Sequence, residues 1–372
     1  MLRTEDNPAT SAQDAKAAGA SADGRTGPRM TSAVGRTADG ARRLYSEIKT
    51  RRLGLPACVV LAAIVGFFAL PDDLLFAGTN SLAAAVIGVG LFLPIATLRE
   101  MPLCAAGVMG LGAMNFGHIA SQFPGGAAWG IFLGILAGLA TSIGLFVFTG
   151  LASLVVTGLY FVVASLVVQA AIEKVAFAIP GITSGGVGWT VPQADLSGWF
   201  DTQRFYYLTT AIVAAAFGLF AWWVLRSRLG RHAVLVGSVP EGASAVGLRN
   251  WMVKLLIFGI SGLMIGVGGL LLATSNGTPP TTQKLGIVWS VIYLAIPVAG
   301  GLRSLSSVWL VAAAFTALPI YLERLLVPPN ALSGGILLAA AVIGQNRDRL
   351  GRWVTRLRRI GRTRPELATG DA

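Results

Sequence analysis

Stretches of uninterrupted apolar sequence about as long as a bilayer is thick constrain this chain more than any other feature. A hydrocarbon core of about 30 Å is crossed by about 20 helical residues. Runs of that order occur at residues 55–70, 79–98, 103–120, 126–148, 151–172, 206–225, 253–273, 286–300, 306–326 and 331–344. The first, eighth and tenth are short. Backbone N–H and C=O groups find no partner in lipid, so segments of this kind must be helical or belong to a closed barrel. Unbroken apolar runs predict helices, and the fold class is all-α: a polytopic membrane bundle of about ten transmembrane helices.

Charge sorts along the chain accordingly. Residues 1–52 hold 10 Lys/Arg and 6 Asp/Glu, residues 345–372 hold 8 and 3, and the 292 residues between hold only 19 charges. This predicts three parts: a disordered cytoplasmic tail (1–52), a transmembrane domain (53–345) and a basic cytoplasmic tail (346–372). The first tail has Leu2, Val34, Leu44 and Ile48 as its only aliphatic residues beyond alanine, too few to build a core. It is also too long and polar for the n-region of a signal peptide, so residues 55–70 read as an uncleaved span. With ten spans starting inside, 25 of the 29 Lys/Arg fall on the cytoplasmic side. The positive-inside rule thereby favours both termini in the cytoplasm and a multi-pass protein of the cell membrane. In this setting the net charge of +12 orients spans and requires no nucleic acid.

The sequence contains no GxxxxGK[ST], HExxH or GxSxG motif. The chain therefore offers nothing to hydrolyse ATP, run a hydrolase or hold a metal, and no catalytic or cofactor residue is assigned. Cys58 and Cys104 lie in apolar stretches as small packing residues, and His118 and His232 read as polar boundary residues. The ionisable residues nearest membrane depth come as adjacent opposite pairs at span ends: Arg99 with Glu100, Glu173 with Lys174, Glu323 with Arg324. Snorkelling to the interface accounts for them. Glycines are dense in "GVMGLGAMNFG" (107–117) and "GISGLMIGVGG" (259–269). Small residues there permit close helix contact or bending around a pathway, and span prolines free backbone carbonyls. Pro94, Gly107, Gly110, Gly112 and Pro297 are the candidate pathway-lining residues. Two connections are long enough to carry function. One, external, covers residues 176–204 and contains Trp189 and Trp199 as interfacial anchors; the other, internal, covers residues 226–250, with helical potential after Pro240.

From residue 206 onward the sequence resembles the M-type permease subunit of Liv-type branched-chain amino acid ABC importers. The segment "YYLTTAIVAAAFGLFAWWVLRSRLGRHAVLVGSVPEGASAVGLRNWMVKLLIFGISGLMIGVGGLLLA" follows the family's order: a span, a basic turn, an E-x-A-x-A-x-G element and a Lys-led glycine-rich span. "VIYLAIPVAGGLRSLSSVWL" resembles the family's glycine turn and the closing helix after it. Upstream, "MPLCAAGVMGLGAM" (101–114) and "ITSGGVGWTVP" (182–192) are collinear with it, although Pro102, Cys104 and Ala105 replace the usual Ser, Gly and His.

The resemblance implies a permease subunit importing branched-chain or other amino acids, with urea, short amides or nucleosides as compatible solutes. It implies a second permease subunit, separate ATP-binding subunits that hold ATP and magnesium, an extracytoplasmic solute-binding protein and membrane lipid as partners. It also implies that a short helix in the internal loop couples to the ATPase. Pro240, Glu241, Gly242, Ala243, Ala245 and Gly247 fit that role: proline and a carboxylate suit a first helical turn, and the small residues keep the segment thin. A proton- or ion-coupled secondary transporter and an intramembrane lipid-modifying enzyme are the alternative readings.

Overall fold

A computed structural model describes residues 72–123, 128–184, 188–191, 202–300, 305, 307–309, 311 and 312. Both tails, the runs at 55–70 and 331–344, most of the run at 306–326, and Trp199 lie outside the described residues, as do the domain boundaries near 52 and 345.

Among the described residues all regular structure is helical. The order is α1 (Asp72–Leu98), α2 (Ala105–Ser121), α3 (Ala128–Val155) and α4 (Leu159–Ala171), which runs into a π turn (Ile172–Ala176). A single turn α5 (Pro180–Thr183) precedes α6 (Thr202–Arg226), α7 (Arg228–Ser238), α8 (Pro240–Ala245) and α9 (Asn250–Asn276). A 3-10 turn (Thr282–Leu285) leads into α10 (Ile287–Gly300). Among the described residues, five helical stretches are long and apolar enough to cross a membrane: Leu75–Leu98, Ala128–Val155, Leu159–Ala176, Gln203–Arg226 and Asn250–Asn276. With 17 and 14 residues, α2 and α10 are shorter than a full crossing at about 1.5 Å per residue.

Helix α1 is the centre of the bundle. Its run of Leu, Ala, Val, Ile and Gly is apolar on every side, the pattern of a helix surrounded by others, and 89% of its most apolar stretch is buried. It packs against α6, α7, α9 and α10. Gly90 meets Met264, Ile265 and the Ser261 carbonyl of α9, and Gly88 meets Ile296 of α10.

Helix α3 has the opposite design. Its buried stripe is small or polar (Gly130, Gly134, Gly138, Ser142, Thr149, Gly150, Ser153, with Phe146), whereas Trp129, Phe132, Leu136 and Phe148 point outward. This inside-out arrangement suits a bilayer, where apolar surface gains nothing by leaving lipid and close backbone packing does the associating.

The sequence pattern places a turn between residues 148 and 151, but the helix continues to Val155. Thr149 returns its hydroxyl to the Leu145 carbonyl at 3.0 Å, and Gly150 lies flat against Phe258, so neither residue breaks the helix. The break comes at Gly158, whose φ of +65° few other residues adopt readily.

Candidate functional site

At the end of the bundle where α1, α3 and α6 finish and α9 begins, the basic connection between α6 and α9 folds into two helices. Arg226 stacks over the Trp222 ring, 4.1 Å from its centroid. Ser227 caps α7 by accepting from the Gly230 amide at 3.4 Å. Helix α7, in a stretch whose composition predicts a basic loop, is amphipathic. Gly230, Ala233 and Val236 are buried, while Arg228 and Arg231 are exposed. Gly237 lies directly on the backbone of Thr97 and Leu98, so α7 is seated on the last turn of α1.

Non-helical backbone at Val239 then turns the chain into α8, with Pro240 at its first position and Glu241 exposed in its first turn. A first-position proline forfeits no helical hydrogen bond, and the carboxylate faces the positive helix end. Gly242 is half-buried against Val239 and Ala243 is fully buried, while Ala245 and Val246 stand in solvent. Helix α8 closes on a Schellman motif: the Leu248 amide donates to Ala243 O at 3.1 Å and the Gly247 amide to Ser244 O at 3.0 Å. Gly247, at φ +81°, supplies the left-handed residue that motif requires. The Asn250 amide nitrogen clasps the result, donating to Pro240 O at 2.8 Å and Ser244 Oγ at 2.9 Å. A thin, rigid, solvent-facing helix is thereby held at the basic end.

A second polar cluster lies inside the bundle, where α2 begins. The first amides of a helix have no partner within it, and Cys104 at the cap offers no side-chain bond. Neighbouring helices supply the acceptors. Ser165 Oγ of α4 takes the Leu103 amide at 2.9 Å, Ser290 Oγ of α10 the Ala106 amide at 3.0 Å, and Gln169 Oε1 of α4 the Gly107 amide at 2.9 Å. Gln169 spends its other end on Leu285 O at 2.8 Å. Gln169, Ser165 and Ser290 are completely buried. Nearby, Glu173 Oε2 accepts from the Ile287 amide at 3.3 Å, at the start of α10.

The candidate pathway residues occupy several surfaces. Gly107 abuts Gln169 and Ile172, Gly110 abuts Leu285, and Gly112 abuts Ser142 and the Gly138 carbonyl of α3. Pro94 and Pro297 are buried within α1 and α10, which pack on each other. A groove of about 570 Å³ between α3 and α9, with Ile143, Val147, Trp251 and Leu255 among its walls, is lined by apolar atoms alone and offers a polar solute no hydrogen bond.

The charged pairs need one correction. Glu173 and Lys174 do pair, at 3.5 Å with the lysine exposed. Glu100 does not pair with Arg99, which is exposed; it turns inward and meets Lys254 of α9 at 2.7 Å, both residues being buried. Lys254 also donates to the Ser153 carbonyl at the end of α3, again at 2.7 Å. Burial pushes the Glu100 carboxyl above the usual carboxylate range, against the opposing pull of the Lys254 hydrogen bond and charge. Snorkelling fails for Glu100 because a two-carbon stem cannot reach solvent past the packed α1–α2 turn. Sequence reasoning missed this pair, Asn250 and the α2 cap. The available signal was an uncharged amide, Gln169, and Lys254 one turn into a span.

Several apolar crossing helices around a buried central one, with a folded basic connection at one end, define a multi-pass membrane protein. The chain belongs to the family described as branched-chain amino acid transport system / permease component, whose pattern matches residues 74–343. It is similar to the L-arabinose ABC transporter permease protein of Azospirillum brasilense, 27% identical over 187 residues covering 48% of this chain and 55% of that protein. It is also similar to the galactose/methyl galactoside import permease protein of Escherichia coli, 31% identical over 121 residues (32% of this chain, 34% of that one). A third relative is the xylose transport system permease protein of Haemophilus influenzae, 29% identical over 138 residues, or 35% and 36% of the two chains. The matched region spans about half the length of the first relative and about a third of the others.

Proposed function

We propose that this chain is the membrane-spanning permease component of an ATP-driven ABC importer, one of about ten spans with both ends in the cytoplasm, and that its solute is a small sugar. The observation that carries the reading is α8, a short exposed helix clasped by Asn250 and seated at the basic end. A separate ATPase subunit needs such a feature to grip. The excess of Lys/Arg at that end supports a cytoplasmic placement. Pro240, Glu241, Gly242, Ala243, Ala245 and Gly247 form the coupling element; ATP and magnesium belong to the ATP-binding subunits. A second permease subunit and an external solute-binding protein complete the assembly.

The named relatives handle arabinose, galactose and xylose, so they do not support the amino-acid solute that the resemblance suggested. The departures at Pro102, Cys104 and Ala105 agree with a different solute. A pathway along Pro94, Gly107, Gly110, Gly112 and Pro297 is closed in this conformation, since Gln169, Leu285 and Ser142 fill the space beside the three glycines. Transport opens those contacts.

The test is isolation of the tagged protein from its native membrane in mild detergent, with wild type beside Glu241→Arg. ATP-binding subunits should accompany the wild type and be lost from the variant, and uptake should fall at least tenfold. Competition of uptake by L-arabinose, D-galactose and L-leucine separates the solutes; inhibition by leucine alone would restore the amino-acid reading. A wild-type protein that purifies alone, yet transports, would favour ion-coupled secondary transport.

A further inference from the structure

We propose that Lys254 and Glu100 are positioning residues that tie the coupling helix α8 to the central helix α1, so that displacement of α8 is delivered to α1 without loss. For its role in transport this inference rests on the importer reading above; the physical tie does not.

Asn250 and Lys254 are four residues apart on α9, which places them one above the other on a single face. The first grips α8 at Pro240 and Ser244. The second, one turn inward, grips Glu100 in the turn immediately after α1 and the Ser153 carbonyl in the last turn of α3. The first two turns of α9 thus carry two polar grips, joined by the helix backbone, one on α8 and one on the ends of both α1 and α3. Helix α7 braces it in parallel, through Gly237 on the backbone of Thr97 and Leu98. Glu100 Oε2 is buried without a hydrogen bond, and the short bond of the carboxylate is the one from Lys254 to Oε1.

Stability alone gives little reason to keep these charges here. A buried ion pair forfeits the hydration of both ions, and replacing it by apolar residues of similar volume is often neutral, whereas removing one partner strands the other. What a charged pair adds is direction and fixed length between two backbones. The informative variant is therefore the double apolar replacement Glu100→Leu with Lys254→Met, not either single change.

The first measurement uses the full chain alone in nanodiscs, in a Cys58→Ser, Cys104→Ala background, with spin labels on cysteines replacing exposed Arg99 and Val246. The expected result is a narrow interlabel distance distribution, at least doubled in width by the double apolar replacement while its thermal midpoint stays within a few degrees. An unchanged width overturns the tie, whatever the protein transports. The second uses the assembled importer in proteoliposomes with radiolabelled L-arabinose and D-galactose. ATP hydrolysis should stay within about twofold of wild type while sugar imported per ATP falls at least tenfold. An unchanged ratio overturns the coupling role. A wild type that assembles with no ATPase overturns the importer reading and leaves the width measurement to decide the tie.

Discussion

Gln169→Leu will lower the thermal midpoint of the purified protein more than loss of any other single hydrogen-bonding side chain at the start of α2. The substitution nearly conserves volume, so packing is disturbed little and the loss is electrostatic. Two backbone groups are stranded together: the Gly107 amide, which donates to Gln169 Oε1, and the Leu285 carbonyl, which accepts from Gln169 Nε2. Gln169 is completely buried, so water does not replace it. Each unsatisfied buried group costs about 1–3 kcal/mol, giving about 2–6 kcal/mol for the pair. Ser290→Ala strands only the Ala106 amide and should cost about half as much. Thermal unfolding in nanodiscs, followed by tryptophan fluorescence, ranks the two. Equal midpoints for Gln169→Leu and wild type would mean that α2 keeps its first turn satisfied without α4. Gln169 joins three elements, α4, the start of α2 and the turn before α10.

The parts of this molecule legible in the sequence are those set by solvent. Bilayer thickness writes itself into residues 79–98, 206–225 and 253–273, each of which falls within a helix, and into 126–148, whose described part, from Ala128 onward, is helical. Helix α8 was also legible after Pro240, because proline, an early carboxylate and Gly247 are local punctuation. Helix α7 was not, since its core-facing residues, Leu229, Ala233, Leu235 and Val236, fill little more than two turns of a segment that opens with Arg228 and Arg231; what holds it is the end of α1, more than a hundred residues away. The Glu100–Lys254 pair escaped for the same reason. Adjacent Arg99 offered a partner in sequence, and the actual partner is 154 residues distant. Thr149 and Gly150 misled in the other direction. Turn formers in water, they are tolerated within a helix where the hydroxyl returns to the preceding turn and Gly150 receives Phe258.

Gly138→Leu will prevent α2 and α3 from meeting, and little folded protein should be recovered. The two helices touch backbone to backbone. A Cβ at Gly138 would lie 2.6 Å from the Gly112 carbonyl oxygen and 3.1 Å from Phe116 Cβ. The first neighbour is main chain inside a helix and cannot rotate away. Even Gly138→Ala must push α2 away, and α2 is packed as closely on α9, where an added Cβ at Gly269 would meet Met109 O at 2.7 Å. Overpacking of this kind costs about 1–3 kcal/mol for an added methyl, and the larger leucine more. Gly144 is the internal control: it lies on the same helix with nothing within 4 Å of an added Cβ, so Gly144→Ala and Gly144→Leu should both fold. Size-exclusion profiles in mild detergent and thermal midpoints read the four variants side by side. If Gly138→Leu behaved like Gly144→Leu, the close contact of α2 with α3 would not be what assembles the bundle. If it fails as expected, assembly at this seam depends on having no side chain, as it must in a solvent that gives apolar side chains no reason to leave it.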